Sequence, residues 1–410
     1  MKVAVLGGST PHTVGLAEAL LQQRRQVQEP MEVVLVGRQE QRLTAVTEYC
    51  QRRTRFLGAE DALHFSAQLN PVAACEGADI VVFQVRPGGL DARSGDESFP
   101  LDFGIPGDEG LGPGGLAAAI RGTQLFPQFQ AALDAAGKAP VLMLTNPLGL
   151  CGRWFEQHHH GPVLGVCELP AVVLRQVLGH APNAATRADY CGMNHQGFWT
   201  RIQQNGVDLL PQALENAPAW ARHPDLHGAL PLPYWRLLFH REQEVKMQRQ
   251  RTSTRALALT NLCIRLEQEC LANDGSTPLP SGEERAKPWY DMVVAPMLWT
   301  SACAESSTLF ANTPAQKGHA FAPQGVFVER LTAWGADGIS TQDSPPPQKL
   351  HSLLTRIAVS EDVAWQACCD PNSKTVSQAL RLHPLCDHLS NQQVQRLADQ
   401  VLQHTELTCV

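Results

Sequence analysis

"KVAVLGGSTPHTVGLAEALLQ" (residues 2–22) joins a short β-branched run to a glycine turn, and then to an apolar pattern of helical spacing from about Thr13. A strand that enters a helix through glycines is how a nucleotide-binding α/β unit begins. The turn leaves backbone N–H groups and a helix N-terminus where a pyrophosphate would sit. Gly7, Gly8, Ser9 and Thr10 are the candidate cofactor-binding residues. The turn "GGST" falls short of a full G-x-G-x-x-G, so by itself it also fits a plain tight turn.

Outward from this stretch, "EVVLVGR" (32–38), "DIVVFQV" (79–85), "APVLMLTNP" (139–147) and "VLGVCELP" (163–170) are further apolar runs of strand length. Continuous apolar runs alternating with helical periods predict a parallel sheet covered on both faces. A cofactor lacking a 2′-phosphate usually meets an acid at the end of the second strand, and here Gly37 and Arg38 stand instead. Arginine can accommodate a 2′-phosphate, so Arg38 leaves NAD and NADP both open. Residues 85–115, "VRPGGLDARSGDESFPLDFGIPGDEGLGPGG", read as a long loop before the helix "LAAAIRG". A loop of that length after a sheet strand is more often functional than idle.

The chain has 410 residues, 43% apolar and 18% charged. That exceeds one usual core and predicts two domains, 1–165 and 166–410. A net charge of −7 argues against a nucleic-acid partner. No apolar run is long enough to span a membrane, and the opening strand leaves no room for a signal peptide, so a cytoplasmic protein is expected. Twelve cysteines without a C-x-x-C pair suit reduced thiols in such a compartment. The proline-rich residues 207–235 read as a lid or linker, residues 252–272 as a helix, and the tail beyond "DSPPPQ" (343–348) as helical. "HHH" (158–160) reads as a solvated helix end.

Two apolar segments end on borderline ligands, one on Cys167-Glu168 and the other on Asn194-His195. They are either two halves of a metal site with open positions or a buried thiol and an ordinary histidine. With the 85–115 segment, "NPLGL", "VCELP", "GMNHQGFW" and "KPWYD", the chain resembles the NAD- and metal-dependent glycosidases of glycoside hydrolase family 4 over roughly residues 2–335.

The resemblance implies an N-terminal Rossmann-like doubly wound parallel sheet followed by a mixed, largely helical substrate and metal domain, as in lactate and malate dehydrogenases. It implies bound NAD, and Mn²⁺ or another divalent metal on Cys167 and His195. Tyr290 would be the base and Glu168 the general acid, with Arg93, Glu109, Asn146 and Asn194 on the sugar. The family cleaves glycosides by oxidation at C3, proton loss at C2, elimination, water addition and return of the hydride, without the usual carboxylate pair. A small glycoside or phosphoglycoside is the expected substrate, and a homo-oligomer the expected assembly.

Three positions depart from the family pattern: Gly37 for an Asp, "GDEGLG" with Asp108 for Gln and Gly110 for Thr, and "NTPAQKG" (312–318) in the phosphate-pocket segment. The rival readings are an NAD(P)-dependent dehydrogenase of a hydroxy acid or sugar, and a silent cofactor- or sugar-binding protein.

Overall fold

The computed structural model describes residues 1–406. β1 (Lys2–Leu6), β2 (Met31–Val36), β3 (Leu63–Gln68), β4 (Ile80–Phe83), β5 (Val141–Met143) and β6 (Val163–Val166) are parallel, in the order 3-2-1-4-5-6. This is the doubly wound arrangement, in which ligands bind beyond the carboxyl ends of the strands where the order reverses, here between β1 and β4. Val3 to Leu6 and Ile80 to Phe83 are buried throughout, as strands covered on both faces must be. The polar edge strand β3, "LHFSAQ", alternates between buried and accessible positions and gave no continuous apolar signal.

The second half adds strands as well as helices. β7 (Thr186–Met193) and β8 (Gln196–Gln204) form a hairpin, with β9 (Val207–Asp208) and β10 (Leu230–Pro231) on β8. β11 (Ser306–Pro314), β12 (Phe327–Gly335) and β13 (Gly338–Gln342) form an antiparallel meander. It joins β6 through Ala311↔Val166 and Asn312↔Gly165 and extends the main sheet to nine strands. The main sheet thus takes strands from both sides of residue 165. The fold is the expected one, a mixed α/β unit with a largely helical C-terminal part.

Two segments differ from the sequence reading. Residues 85–115 are not a plain loop. They hold a helix, Gly89–Ser98, and a 3-10 turn, Phe99–Phe103, ahead of the helix Gly112–Leu125. Of the glycines that masked the first helix, Gly95 has a packing reason, since a Cβ there would stand 3.0 Å from His404 Nδ1. The 207–235 segment is not a free linker either. Leu226, Leu230, Leu232 and Trp235 are buried, and Trp235 stacks on Phe198 with ring centroids 4.6 Å apart.

The tail helices Gln348–Cys369, Ser373–Leu382 and Asn391–Gln403 close over the sheet, the last two opened by capping boxes at Asn372 and Ser390. In the 158–160 run, His158 Nδ1 and His159 Nε2 each bond a backbone carbonyl, and His159 is buried rather than solvated. No helix among the described residues is long and apolar enough to cross a membrane. The cysteines described are all unpaired.

Candidate active site

Gly7 opens the turn after β1 at φ +88°, and a Cβ there would lie 3.0 Å from the backbone of Gln84 and Val85. Only glycine satisfies both the positive φ and the close approach of β4. Gly8 donates its N–H to Val36 O at 2.7 Å, so that group serves the sheet. The chain then rises through the short turn Pro11–Thr13 into the helix Val14–Gln22. Gly37 has a local cause: a Cβ there would fall 2.2 Å from the Ser9 Cβ. Ser9 thus fills the space where an acidic side chain would begin, and Arg38 beside it is exposed.

Past the ends of β4 and β5 lies a cleft lined by Gln84, Arg86, Arg93, Glu109, Thr145 and Asn146 among others. Three of the sequence-predicted substrate residues, Arg93, Glu109 and Asn146, therefore meet there. Glu109 bridges two guanidiniums, Arg93 at 2.7 Å on one oxygen and Arg86 on the other. Arg93 also donates Nε to Glu97 at 2.8 Å. A carboxylate held by two arginines orients them and is poorly suited to take a proton.

Next to this cleft the two strand-end pairs converge. Cys167 ends β6, and Glu168 caps the helix Leu169–Leu178. Asn194 and His195 form the two-residue turn of the β7–β8 hairpin, which closes on the pair Met193↔Gln196. His195 sits at φ 65°, a left-handed conformation that is rare outside glycine and concentrated at functional sites. The Asn194 side chain lies against the Cys167 thiol, whose pKa is pushed well up, first by burial and then by Glu329 and Glu168. Burial, with Arg255 adding, pushes His195 down to about 3, which keeps the imidazole neutral.

Two polar atoms here are orphaned. His195 Nδ1 and Asn194 Nδ2 are buried without a hydrogen-bond partner. Buried polar groups are normally satisfied, so an orphan imidazole nitrogen calls for a partner that the described side chains do not supply. No group of three or more His, Cys, Asp or Glu side chains forms a closed metal cage among the described residues. A neutral imidazole and a thiol still fit a divalent ion of the softer kind, with its remaining positions open to substrate and water.

Tyr290 reaches the cleft through Gln84. It lies in a π-helical turn, Tyr290–Val294, with its ring against Gly15, and its hydroxyl donates to Gln84 Oε1 at 2.7 Å. Tyr234 is the tyrosine that covers His195: its ring lies flat on the imidazole, centroids 4.1 Å apart and planes 7° from parallel. It is near enough to Cys167, Asp108, Arg255 and Arg93 for each to move its pKa. Its motif, "PLPYW", lies in the proline-rich segment read as a linker, which is why the sequence passed over it.

Asp108 explains a second departure. Its Oδ1 accepts the Gly110 N–H at 2.8 Å, and a Cβ on Gly110 would come 3.2 Å from His195 Nδ1. A larger residue at 110 would push on His195.

Burial raises the Glu168 carboxyl, while Arg285 and Arg255 pull it back. Arg255 has no carboxylate bonded to it among the described residues and opens the helix Arg255–Ala272. Arg285 stacks over Trp289 at 4.8 Å. These two cations also act on each other.

Comparison with known proteins bears on the family and the fold. The sequence profile of the family 4 glycosyl hydrolases matches residues 2–180, and that of their C-terminal domain matches residues 190–386. The 6-phospho-beta-glucosidase BglT of Thermotoga maritima is 27% identical over 222 residues, 53% of this chain and 51% of the relative, so the chain spans about half of that relative's length. A solved 6-phospho-beta glucosidase from Thermotoga maritima, with manganese, NAD⁺ and glucose-6-phosphate, superposes with a TM-score of 0.84 over 98% of both chains at 21% identity. Malate dehydrogenase from Plasmodium falciparum shares the fold more distantly, with a TM-score of 0.54 over 90% of this chain and 99% of its own at 14% identity. With both halves matched and the fold shared end to end, the chain belongs to the family 4 glycosyl hydrolases.

Proposed function

We propose that this protein is an NAD- and divalent-metal-dependent glycosidase acting on a 6-phosphoglucoside. The observation that carries the reading is the convergence of Cys167, Asn194 and His195 from two different sheets onto one spot, with Tyr234 stacked on the histidine. NAD at the Gly7–Thr10 turn would accept a hydride from the sugar, and a divalent ion on Cys167 and His195 would polarise the oxygens at C2 and C3.

The chain's own residues have these tasks in the reading. Arg93 and Asn146 hold the sugar hydroxyls, and Glu109 keeps Arg93 and Arg86 in place. Asn194 positions the Cys167 side of the site. Tyr234 takes the proton from C2; burial and Asp108 push its phenol up, and the charge of Arg255 pulls it part of the way back. Tyr290 instead fixes Gln84 beneath the cofactor turn. Glu168, kept protonated to higher pH by burial, gives its proton to the departing oxygen. The like-charged pair Arg255 and Arg285 next to Glu168 favours a dianion on the substrate, which is the case for a 6-phosphate.

Two further properties go with the reading. Unpaired thiols throughout suit a reducing cytoplasm. Leu257, Ile264 and Leu271 form an exposed stripe at heptad spacing on one helix, which suits a second copy of the chain, and light scattering would measure that.

The test is hydrolysis of α- and β-linked aryl glucosides, with and without a 6-phosphate. The reading expects turnover only of 6-phosphorylated substrates, only with Mn²⁺, and with catalytic amounts of NAD⁺. Stoichiometric accumulation of NADH without aglycone release would make the protein a dehydrogenase instead.

A further inference from the structure

Cys167 and His195 stand on different sheets, and one buried side chain joins those sheets beside them. Glu329, on β12, is 2% exposed. It faces Asn312 in the β11–β12 ladder, and Asn312 faces Gly165 at the end of β6, just before Cys167. One Glu329 oxygen accepts from Asn312 Nδ2 at 3.0 Å, and the other accepts from the Tyr190 hydroxyl of β7. The Asn194 side chain lies against both Glu329 and Cys167. Three polar groups, from β11, β7 and the β7–β8 turn, thus surround one carboxyl.

Burying a carboxyl is costly, and an apolar residue of similar volume would often pack there as well or better. Packing alone therefore does not account for Glu329. What an apolar residue could not supply is a directional link from the main sheet to the hairpin that carries His195.

We propose that Glu329 is the positioning residue of the Cys167–His195 ion site. Fixed by Asn312 within the main sheet, it ties that sheet through Tyr190 to the hairpin strand that leads to Asn194 and His195. It touches neither substrate nor cofactor and acts through the two sheets. The proposal rests on the reading of Cys167 and His195 as metal ligands.

The intact protein would be treated with iodoacetamide over a range of Mn²⁺ concentrations, and alkylation of Cys167 followed by peptide mass spectrometry. Mn²⁺ should protect that thiol in the wild type. Outer partners of ligands are typically worth 10–100-fold in metal affinity, so Glu329→Gln is expected to raise the half-protecting Mn²⁺ concentration by about that factor. Its thermal midpoint and NAD⁺ affinity should stay near the wild-type values. Tyr190→Phe, which removes one donor and keeps the ring, should shift protection the same way by less.

A folded Glu329→Gln protein protected at the wild-type Mn²⁺ concentration would overturn the proposal. If that variant does not fold, Tyr190→Phe decides on the same readout. Failure of Mn²⁺ to protect Cys167 even in the wild type would instead remove the ligand reading, and the proposal with it.

Discussion

Tyr49, Tyr190 and Tyr290 each spend the phenol on a fixed partner: Glu18 at 2.8 Å, Glu329, and Gln84 at 2.7 Å. No side chain holds the Tyr234 hydroxyl in that way among the described residues, and its ring covers His195. Tyr234→Phe keeps the stacking and, on the proposed reading, removes the acceptor of the C2 proton. Its rate of aglycone release is expected to fall ~10²–10⁴-fold, while bound NAD⁺ is still reduced when substrate is added. Tyr290→Phe should cost far less, and wild-type product formed in D₂O should carry deuterium at C2. Equal loss in both variants would take the proton from Tyr234. Cys167, His195 and Asn146 were legible as candidates because each stands in a short motif just past a strand, and Arg93 and Glu109 because they stand in the glycine-rich segment beyond β4. Tyr234 was not, because nothing local in "PLPYW" says which ring it will meet. That contact exists only once a proline-rich segment has wrapped the hairpin.

The end of β2 shows how one element sets the chemistry of its neighbour. Ser9 occupies the volume above Gly37, so Gly37→Asp must push the glycine turn outward. Overpacking of this kind typically costs 1–3 kcal/mol, and the single variant should melt lower and bind NAD⁺ more weakly. Ser9→Gly in the same chain should recover most of both losses. No recovery would show that the glycine at 37 serves something other than Ser9.

Further along, Glu361 on the helix Gln348–Cys369 packs against Gly149 of the helix Leu148–His158. Arg153, the nearest cation, is paired to Asp362 at 2.6 Å. Burial pushes Glu361 from 4.5 up to about 8. Between pH 4.5 and 8 the unfolded chain releases this proton while the folded protein keeps it, so stability declines across that window and levels off above it. Glu361→Gln should melt like the wild type at pH 4.5 and higher than it at pH 8.5, by calorimetry. Equal midpoints at both values would mean that Glu361 is ionised in the fold. Neither these helices nor the apolar parallel strands were hard to read from the sequence. The edge strand β3 and the helix Gly89–Ser98 were, because polar alternation and glycines placed for close packing resemble loops.

Across the whole molecule, the chain's far end is tied to the base of the cleft. Asp96 and Arg121 are both buried and paired, and Arg121 also donates to the His404 carbonyl, whose ring stacks on Phe99 at 4.5 Å. Asp96→Ala would strand a buried guanidinium, typically a loss of 3–5 kcal/mol. Denaturant unfolding should report that loss, and hydrogen exchange should show the helix Asn391–Gln403 loosened with it. An unchanged tail would mean that this helix is held by its apolar face of Val394, Leu397 and Val401 alone.

Cys167 comes from the nine-stranded sheet and His195 from the hairpin sheet, and this division has a thermodynamic consequence. An ion bound to one residue of each sheet couples occupancy to the separation of the two halves, and such coupling works equally in both directions. Whatever draws the sheets together tightens the ion, and the ion draws the sheets together by the same free energy. At a hundred times its dissociation constant a ligand contributes about 2.7 kcal/mol to the folded state, and here that contribution would be concentrated at one seam. A chelator would then act as a local denaturant, releasing the hairpin while the nucleotide half stays folded.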